Sequence, residues 1–354
     1  MPLSLGGSAN HLAEGRYQLL CRALGIEVEP RRTLVGYYTT PDYRPLLDRL
    51  GTDIRYIHIR PPRGYVAHPL TAPFEPFVDE WGIRHSFESG FYQLTGAPLA
   101  KDLSVRSIEQ YPWPDPYDPV RLQGVRDEVL DLYNNTRYAI AAHRPVYGNC
   151  WEFARLMVGM EQALIMTVQD RKLFDALISK LTDVLNGFYD AFLDVVGPYV
   201  QIVEMAEDLG TATGPMISPR FYREVIRPKH EATVRLIKEK ASNAKILLHC
   251  DGAIRAFIPD LIAAGFDILN PIEPNLPGMD PAELKREYGK DICFQGGVDV
   301  KGVLPRGSVD DVRAEVRLRM EQMAEGGGYI LGPSHNLLDD VPIENILALV
   351  DARV

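Results

Sequence analysis

The stretch "KILLHCDG" (Lys245–Gly252) ends an apolar, β-type run on His249, Cys250 and Asp251. Each of these side chains can bind a metal or move a proton. In an extended chain, residues two apart share a side and the one between faces away. His249 and Asp251 are therefore read as a pair and Cys250 as a core thiol. Other apolar runs deliver polar groups in the same way. Glu207 and Asp208 follow "YVQIVEM", and Asn270 and Glu273 follow "DIL". Gln295 and Asp299 follow "DICF", and His335 follows "GYILGP". Carboxylates and imidazoles converging on one place suit metal binding or general acid–base work. A structural role stands beside each: a strand-end histidine can simply hold a hydrogen bond, and Asp251 before Gly252 can cap the next helix.

The elements around these residues say how they could converge. Short β-type runs at 53–59, 138–143, 199–205, 245–250, 266–271, 291–297 and 328–333 alternate with amphipathic helical stretches. Ser218-Pro219 and Asp280-Pro281 read as helix starts, Gly265 and Gly289 as helix ends. Such alternation predicts a parallel sheet wrapped by helices. A (β/α)8 barrel of the TIM type is expected, with helices over residues 1–50 ahead of it and one domain spanning 1–354. An eighth strand is expected within residues 61–120, a Pro- and Tyr-rich region after the first strand that covers one end of the fold. No glycine-rich dinucleotide fingerprint follows the first strand, which disfavours an open doubly wound sheet. In a barrel, chemistry sits past the C-terminal strand ends, where every residue named above falls. Arg63, Tyr65 and His68 of "PPRGYVAHP" are further candidates for that mouth.

Composition narrows the partners. The chain has 354 residues, 46% hydrophobic and 24% charged, with a net charge of -10. That balance suits a globular protein and opposes a nucleic-acid partner, which wants a basic face. No apolar run approaches the roughly 18 residues of a membrane span. The four cysteines, Cys21, Cys150, Cys250 and Cys293, form no CxxC pair. With no secretory pattern, reduced thiols in the cytoplasm are expected.

The stretches "AEDLGTATGPMISPRFYREVIRP", "LLHCDGAIRAFIPDLIAAGFDILNPIEP", "GKDICFQGGVD" and "GGGYILGPSHNLLDDVPIENILAL" closely resemble the uroporphyrinogen decarboxylase superfamily. "VDEWGIRH" and "YPWPDPYDP" extend the likeness upstream, to roughly residues 35–352. The resemblance implies a (β/α)8 barrel and one of two activities. One branch decarboxylates porphyrinogens without a cofactor. Of its site residues only the late histidine is matched, by His335. The arginine-rich "RQAGRY"-type segment and the tyrosine have no counterpart, Arg60 lies near the catalytic aspartate's place, and Asp208 falls at its serine.

The other branch moves methyl groups between a corrinoid and a thiol, using zinc on a His-x-Cys motif and a later cysteine. His249 matches the histidine, Asp251 stands at the first cysteine, and His335 at the second. The resemblance thus implies a His249–Asp251–His335 metal site, harder than the thiolate version, for zinc or else ferrous iron. The expected function is a metal-dependent methyltransferase or demethylase for a small methylated substrate. A corrinoid on a partner protein would serve it, and the chain would be a monomer or homodimer. His335, Glu207, Asp208 and Arg60 are the expected catalytic residues. Tyr65, Arg63, Glu273, Gln295 and Asp299 are expected to bind substrate. The alternative is a cofactor-free decarboxylase for a small carboxylate or porphyrinogen-like substrate, with Arg60 and Arg63 holding the carboxylate and His335 protonating the carbanion.

Overall fold

The structure is a computed structural model that describes residues 1–7, 10–27, 31–35, 38–40, 44–65, 68–69, 75–88 and 91–353. Seven parallel strands form its central sheet: β1 (Ile54–Ile57), β2 (Ala139–Ala142), β3 (Ile202–Ala206), β4 (Lys245–His249), β5 (Ile268–Ile272), β6 (Cys293–Val298) and β7 (Tyr329–Pro333). They pair in chain order, each joined to the next by helical crossovers. All seven β-type runs read from the sequence overlap these strands.

The eighth stave is not where the sequence placed it. Between β7 and β1 runs the N-terminal segment Pro2–Leu5. Ser4 N donates to Leu331 O at 2.9 Å and Leu331 N to Pro2 O at 2.9 Å. On the other side Asp53 N donates to Leu3 O at 3.1 Å, and Leu3 N donates to the Asp53 carboxylate at 2.8 Å. Leu3 and Leu5 are wholly buried. The pairing satisfies backbone groups that an open sheet would leave bare on two edges. The described part of 61–120 instead folds over the barrel, with an antiparallel sheet of Phe77–Val78, Arg84–Glu88 and Phe91–Gly96. Residues 1–50 are also less helical than expected. Helices Glu14–Ala23 and Arg44–Leu50 flank a strand pair, Arg31–Val35 with Tyr38–Thr40.

Inside the barrel, side chains stack in layers, as the two-residue strand period requires. Ile54, Ala141, Ile202, Leu247 and Ile268 form a dry lower layer. Two residues further along the same strands stand Tyr56, His143, Glu204, His249 and Asn270. The barrel floor is therefore apolar and its mouth is polar. The helices close over a much larger core that runs from Leu3 to Val350. Ser218 and Asp280 cap their helices through Phe221 N and Glu283 N. Pro228 lacks an N–H, and the helix accommodates it with a π turn at Tyr222–Ile226 before continuing over Arg227–Lys240. Among the described residues, no helix is long and apolar enough to cross a membrane.

If Pro2–Leu5 is a true stave, Leu3→Ala should cost about 2–5 kcal/mol, as for a buried core leucine. Urea denaturation measures this. A loss under about 0.5 kcal/mol, the surface range, would mean that the segment merely lies on the barrel.

Candidate active site

β4 ends at His249, and the chain then turns through Asp251 and Gly252. Gly252 has φ 96°, and a Cβ there would come within 2.6 Å of Gly210 C. Only glycine fits, so the turn holds Asp251 against the mouth. Its N–H donates to Glu273 Oε1 at 3.1 Å. The next helical turn begins only at Arg255 and has no side-chain cap. Asp251 is thus not spent on capping.

Asp251 lies between two imidazoles. His335 Nε2 is 3.2 Å from its Oδ2 and His249 Nε2 is 3.6 Å from its Oδ1. One ligand atom from each of His249, Asp251 and His335 falls within 4.8 Å of the others. His249 Nδ1 donates to Asn270 Oδ1 at 2.9 Å, which leaves the Nε2 lone pair facing the mouth. The Asn270 side chain reaches there because it shares the inward phase of Ile268, two residues earlier on β5. Asp251 Oδ1 is buried and has no hydrogen-bond partner among the described residues. An orphaned carboxylate oxygen beside an outward-facing Nε2 is what a cation would satisfy. The donor set, two imidazoles and a carboxylate, therefore fits a divalent metal.

Charges at the mouth are tuned by burial and by one another. Burial lowers the His249 pKa. Burial also opposes charge on His335, but Asp251 outweighs it and raises the pKa. For Asp251 the burial effect is outweighed by His249 and His335, so its pKa is lowered. Behind it, Asp208 Oδ1 accepts from Asp251 N at 3.0 Å, and Asp208 N donates to Glu152 Oε2 at 3.3 Å. Burial, then Asp251, raises the Asp208 pKa. Burial, then Asp208, pushes Glu152 up to about 8, although Arg155 Nη2 lies 3.1 Å from Glu152 Oε1. The paired acids thus retain a proton near neutral pH.

The other expected residues are not all at this point. Glu207 is wholly buried and faces outward from the barrel, one residue out of phase with Glu204 and Asp208. It accepts from Trp151 N at 3.0 Å and Glu152 N at 2.6 Å, binding the start of the helix Cys150–Val158. His230 Nε2 closes it at 3.1 Å. Cys150, Glu207 and His230 form a second compact ligand group, but all three are sealed away from the mouth. Its burial corrects the expectation of a catalytic Glu207. Arg60 binds Glu128 at 2.6 Å and Gln123 O at 3.1 Å, away from His335's partners. Arg63 pairs with Asp118 at 2.7 Å. With Tyr65 it lines a cavity of about 400 Å³ that also has Phe77, Trp81, Tyr147 and Phe153 in its wall. The side chain of His68 lies outside the described residues.

Glu273 is held by Lys301 Nζ at 2.6 Å as well as by Gly252 N. Asp299 accepts from Lys301 N at 2.8 Å and Val303 N at 3.3 Å, so it shapes its own turn. Both carboxylates are engaged within the fold. Gln295 is buried in the mouth layer, and its Oε1 has no hydrogen-bond partner among the described residues.

Sequence reasoning missed several residues here. His143 and Arg144 follow β2 directly and obey the same strand-end rule, which was applied only from β3 onward. His143 Nδ1 donates to Arg144 O at 3.1 Å, and its Nε2 is 3.7 Å from Glu204 Oε2. His58, next to Arg60, stacks on His143 with ring centroids 4.5 Å apart. His11 is carried in by the N-terminal segment beside Asn336, which accepts from His11 N at 3.0 Å. Burial, with His58 and Arg144, lowers His11 to about 3. No local pattern marks His11 or Glu152.

The raised Glu152 pKa has a stability consequence. Above its ordinary value near 4.5 the unfolded chain releases this proton, while the folded state keeps it to about 8. The unfolded state then binds fewer protons, so stability falls as pH rises through that window. Glu152→Gln, which mimics the protonated acid, should match the wild type near pH 5. It should exceed it by about 1 kcal/mol or more near pH 8. Urea unfolding at both pH values checks this; an equal gap at each would refute the raised Glu152 pKa.

Comparison with known proteins agrees with this architecture. The uroporphyrinogen decarboxylase (URO-D) family model matches residues 92–354. A methylcobamide:CoM methyltransferase, MtaA, of Methanosarcina barkeri is 25% identical over 264 residues, covering 73% of this chain and 70% of the relative. A uroporphyrinogen decarboxylase of Prochlorococcus marinus (strain NATL1A) is 24% identical over 255 residues, covering 72% and 70%. Among solved structures, a methyltransferase from Methanosarcina mazei superposes with a TM-score of 0.63 at 17% identity, covering 97% of this chain and 98% of the other. That likeness speaks for the fold alone. The chain belongs to the uroporphyrinogen decarboxylase family.

Proposed function

We propose that this protein is a metal-dependent methyltransferase or demethylase for a small methylated substrate. The observation that carries the reading is the meeting of His249, Asp251 and His335 around an unpartnered carboxylate oxygen. The likeness to a methylcobamide:CoM methyltransferase supports the reaction class and suggests a corrinoid on a partner protein as the other methyl carrier.

Zinc, or ferrous iron, would be held by His249 Nε2, Asp251 and His335 Nε2. When bound, such a metal supplies a Lewis acid with an open position for an oxygen or sulfur ligand. Asn270 fixes the tautomer and ring plane of His249. Asp251 Oδ2 lies 3.2 Å from that same His335 Nε2, a contact that a bound metal would replace by ligating both atoms. Asp208 accepts from the Asp251 N–H and its own N–H is bonded to Glu152, which fixes the turn behind Asp251. Replacing thiolates by a carboxylate and a second imidazole makes the site harder, which favours oxygen-bearing substrates over thiols.

Elemental mass spectrometry of the purified protein tests the site. Near-stoichiometric zinc or iron is expected in the wild type, and none in a His249→Ala, His335→Ala double variant. A metal-free wild type after zinc and iron have been supplied would sink the reading. It would move the assignment to acid–base decarboxylation by Asp251 and His335. Asn270→Ala should keep the metal but weaken its binding about 10–100-fold, as loss of a ligand-orienting hydrogen bond does. Competition with a chelator measures that change, and unchanged affinity would deny Asn270 its part.

A further inference from the structure

Arg144 stands two residues beyond the end of β2, among the polar residues of the mouth. It is only 6% exposed. Among the described residues, none hydrogen-bonds to its guanidinium or forms an ion pair with it. The other buried arginines behave differently. Arg55 pairs with Asp48, Arg121 with Glu80 and Arg319 with Glu315. A guanidinium cannot shed its proton, so burying one without a partner is costly. Its one defined contact is an aromatic face: Arg144 Cζ lies 5.5 Å from the Tyr147 ring centroid. Arg144 directly follows His143, whose Nε2 lies 3.7 Å from Glu204 in the mouth layer.

Arg144 is not itself in the lining of the neighbouring cavity of about 400 Å³, but Tyr147, whose ring it faces, is, together with Trp81, Phe153 and Phe77 and the carboxylates Asp79 and Glu80. Such a volume suits a small ring-sized body. Trp81 is fixed in place, with its ring 4.3 Å from that of Phe153 and its N–H bonded to Asp79.

We propose that Arg144 anchors a carboxylate on the substrate, and that the substrate is a small monocarboxylic acid whose apolar ring lies against Tyr147 and Trp81. The proposal rests on the mouth being the reaction site. A planar carboxylate matches the guanidinium fork through two parallel N–H···O bonds. Arg63 and Arg60, engaged by Asp118 and Glu128, would then have no part in carboxylate binding.

Calorimetric titration of the intact protein tests this with three probes of one size: benzoate, benzamide and benzenesulfonate. Benzoate should bind at least about tenfold more tightly than benzamide, because only the carboxylate pairs the buried cation. In Arg144→Gln that preference should fall to about twofold or less. Arg144→Lys retains the charge without the fork and should lie between, which keeps the test usable if the glutamine variant folds poorly. The glutamine variant is expected to melt no lower than wild type, since it removes an unpaired buried charge. Equal binding of benzoate and benzamide would overturn the proposal. So would benzoate affinity unaffected by either substitution, no benzoate binding to wild type, or tighter binding of benzenesulfonate. The titrations use neither metal nor methyl acceptor. A lost anchor and a lost metal site are therefore separate results.

Discussion

A parallel barrel cannot tolerate a missing stave. Its strands expose backbone donors and acceptors on both edges, and burying them unpaired costs more than most side-chain contacts return. Here seven strands come from the repeating part of the chain and the last place is filled by Pro2–Leu5, bonded to Leu331 on one side and Asp53 on the other. Everything at the mouth depends on this closure. It bridges the start of β1 to the middle of β7, and the chain continues from there to bring His11 alongside Asn336.

With the barrel closed, the two-residue period of its strands decides which polar groups face the interior. Ile202, Glu204 and Asp208 share one phase and Glu207 takes the other. Glu207 therefore ends behind the strand, where helix N–H groups at Trp151 and Glu152 use its charge. Leu247, His249 and Asp251 keep one phase past the strand end. The result is a mouth dense in carboxylates and imidazoles within a low-dielectric setting, where each group's protonation depends on its neighbours. His249 and His335 hold the Asp251 pKa low, while burial raises those of Glu152 and Asp208. Arg144 is the buried cation that this network leaves unmatched.

The site also separates into a reaction point and a recognition wall. The ligand group stands on rigid strand ends. The cavity wall comes partly from the segment around Trp81, which folds over the barrel rather than into it. This division lets a family barrel keep its strands and change its chemistry through the loops.

Much of this was legible in order of residues. Apolar runs bounded by helix caps implied the parallel sheet, and "KILLHCDG" with its two-residue spacing implied that His249 and Asp251 act together. The strand-end rule also contained His143 and Arg144, and the phase of β3 contained both the inward Glu204 and the outward Glu207; these were readable but not read. Other features were not local at all. The eighth stave, the approach of His335 to Asp251 across 84 positions, the Asn270 bond to His249 and the arrival of His11 and Glu152 are contacts between distant segments. Sequence by itself determined which groups could face one another, because backbone period is a local property. Tertiary structure alone decided which of them met, because that depends on how the barrel closes.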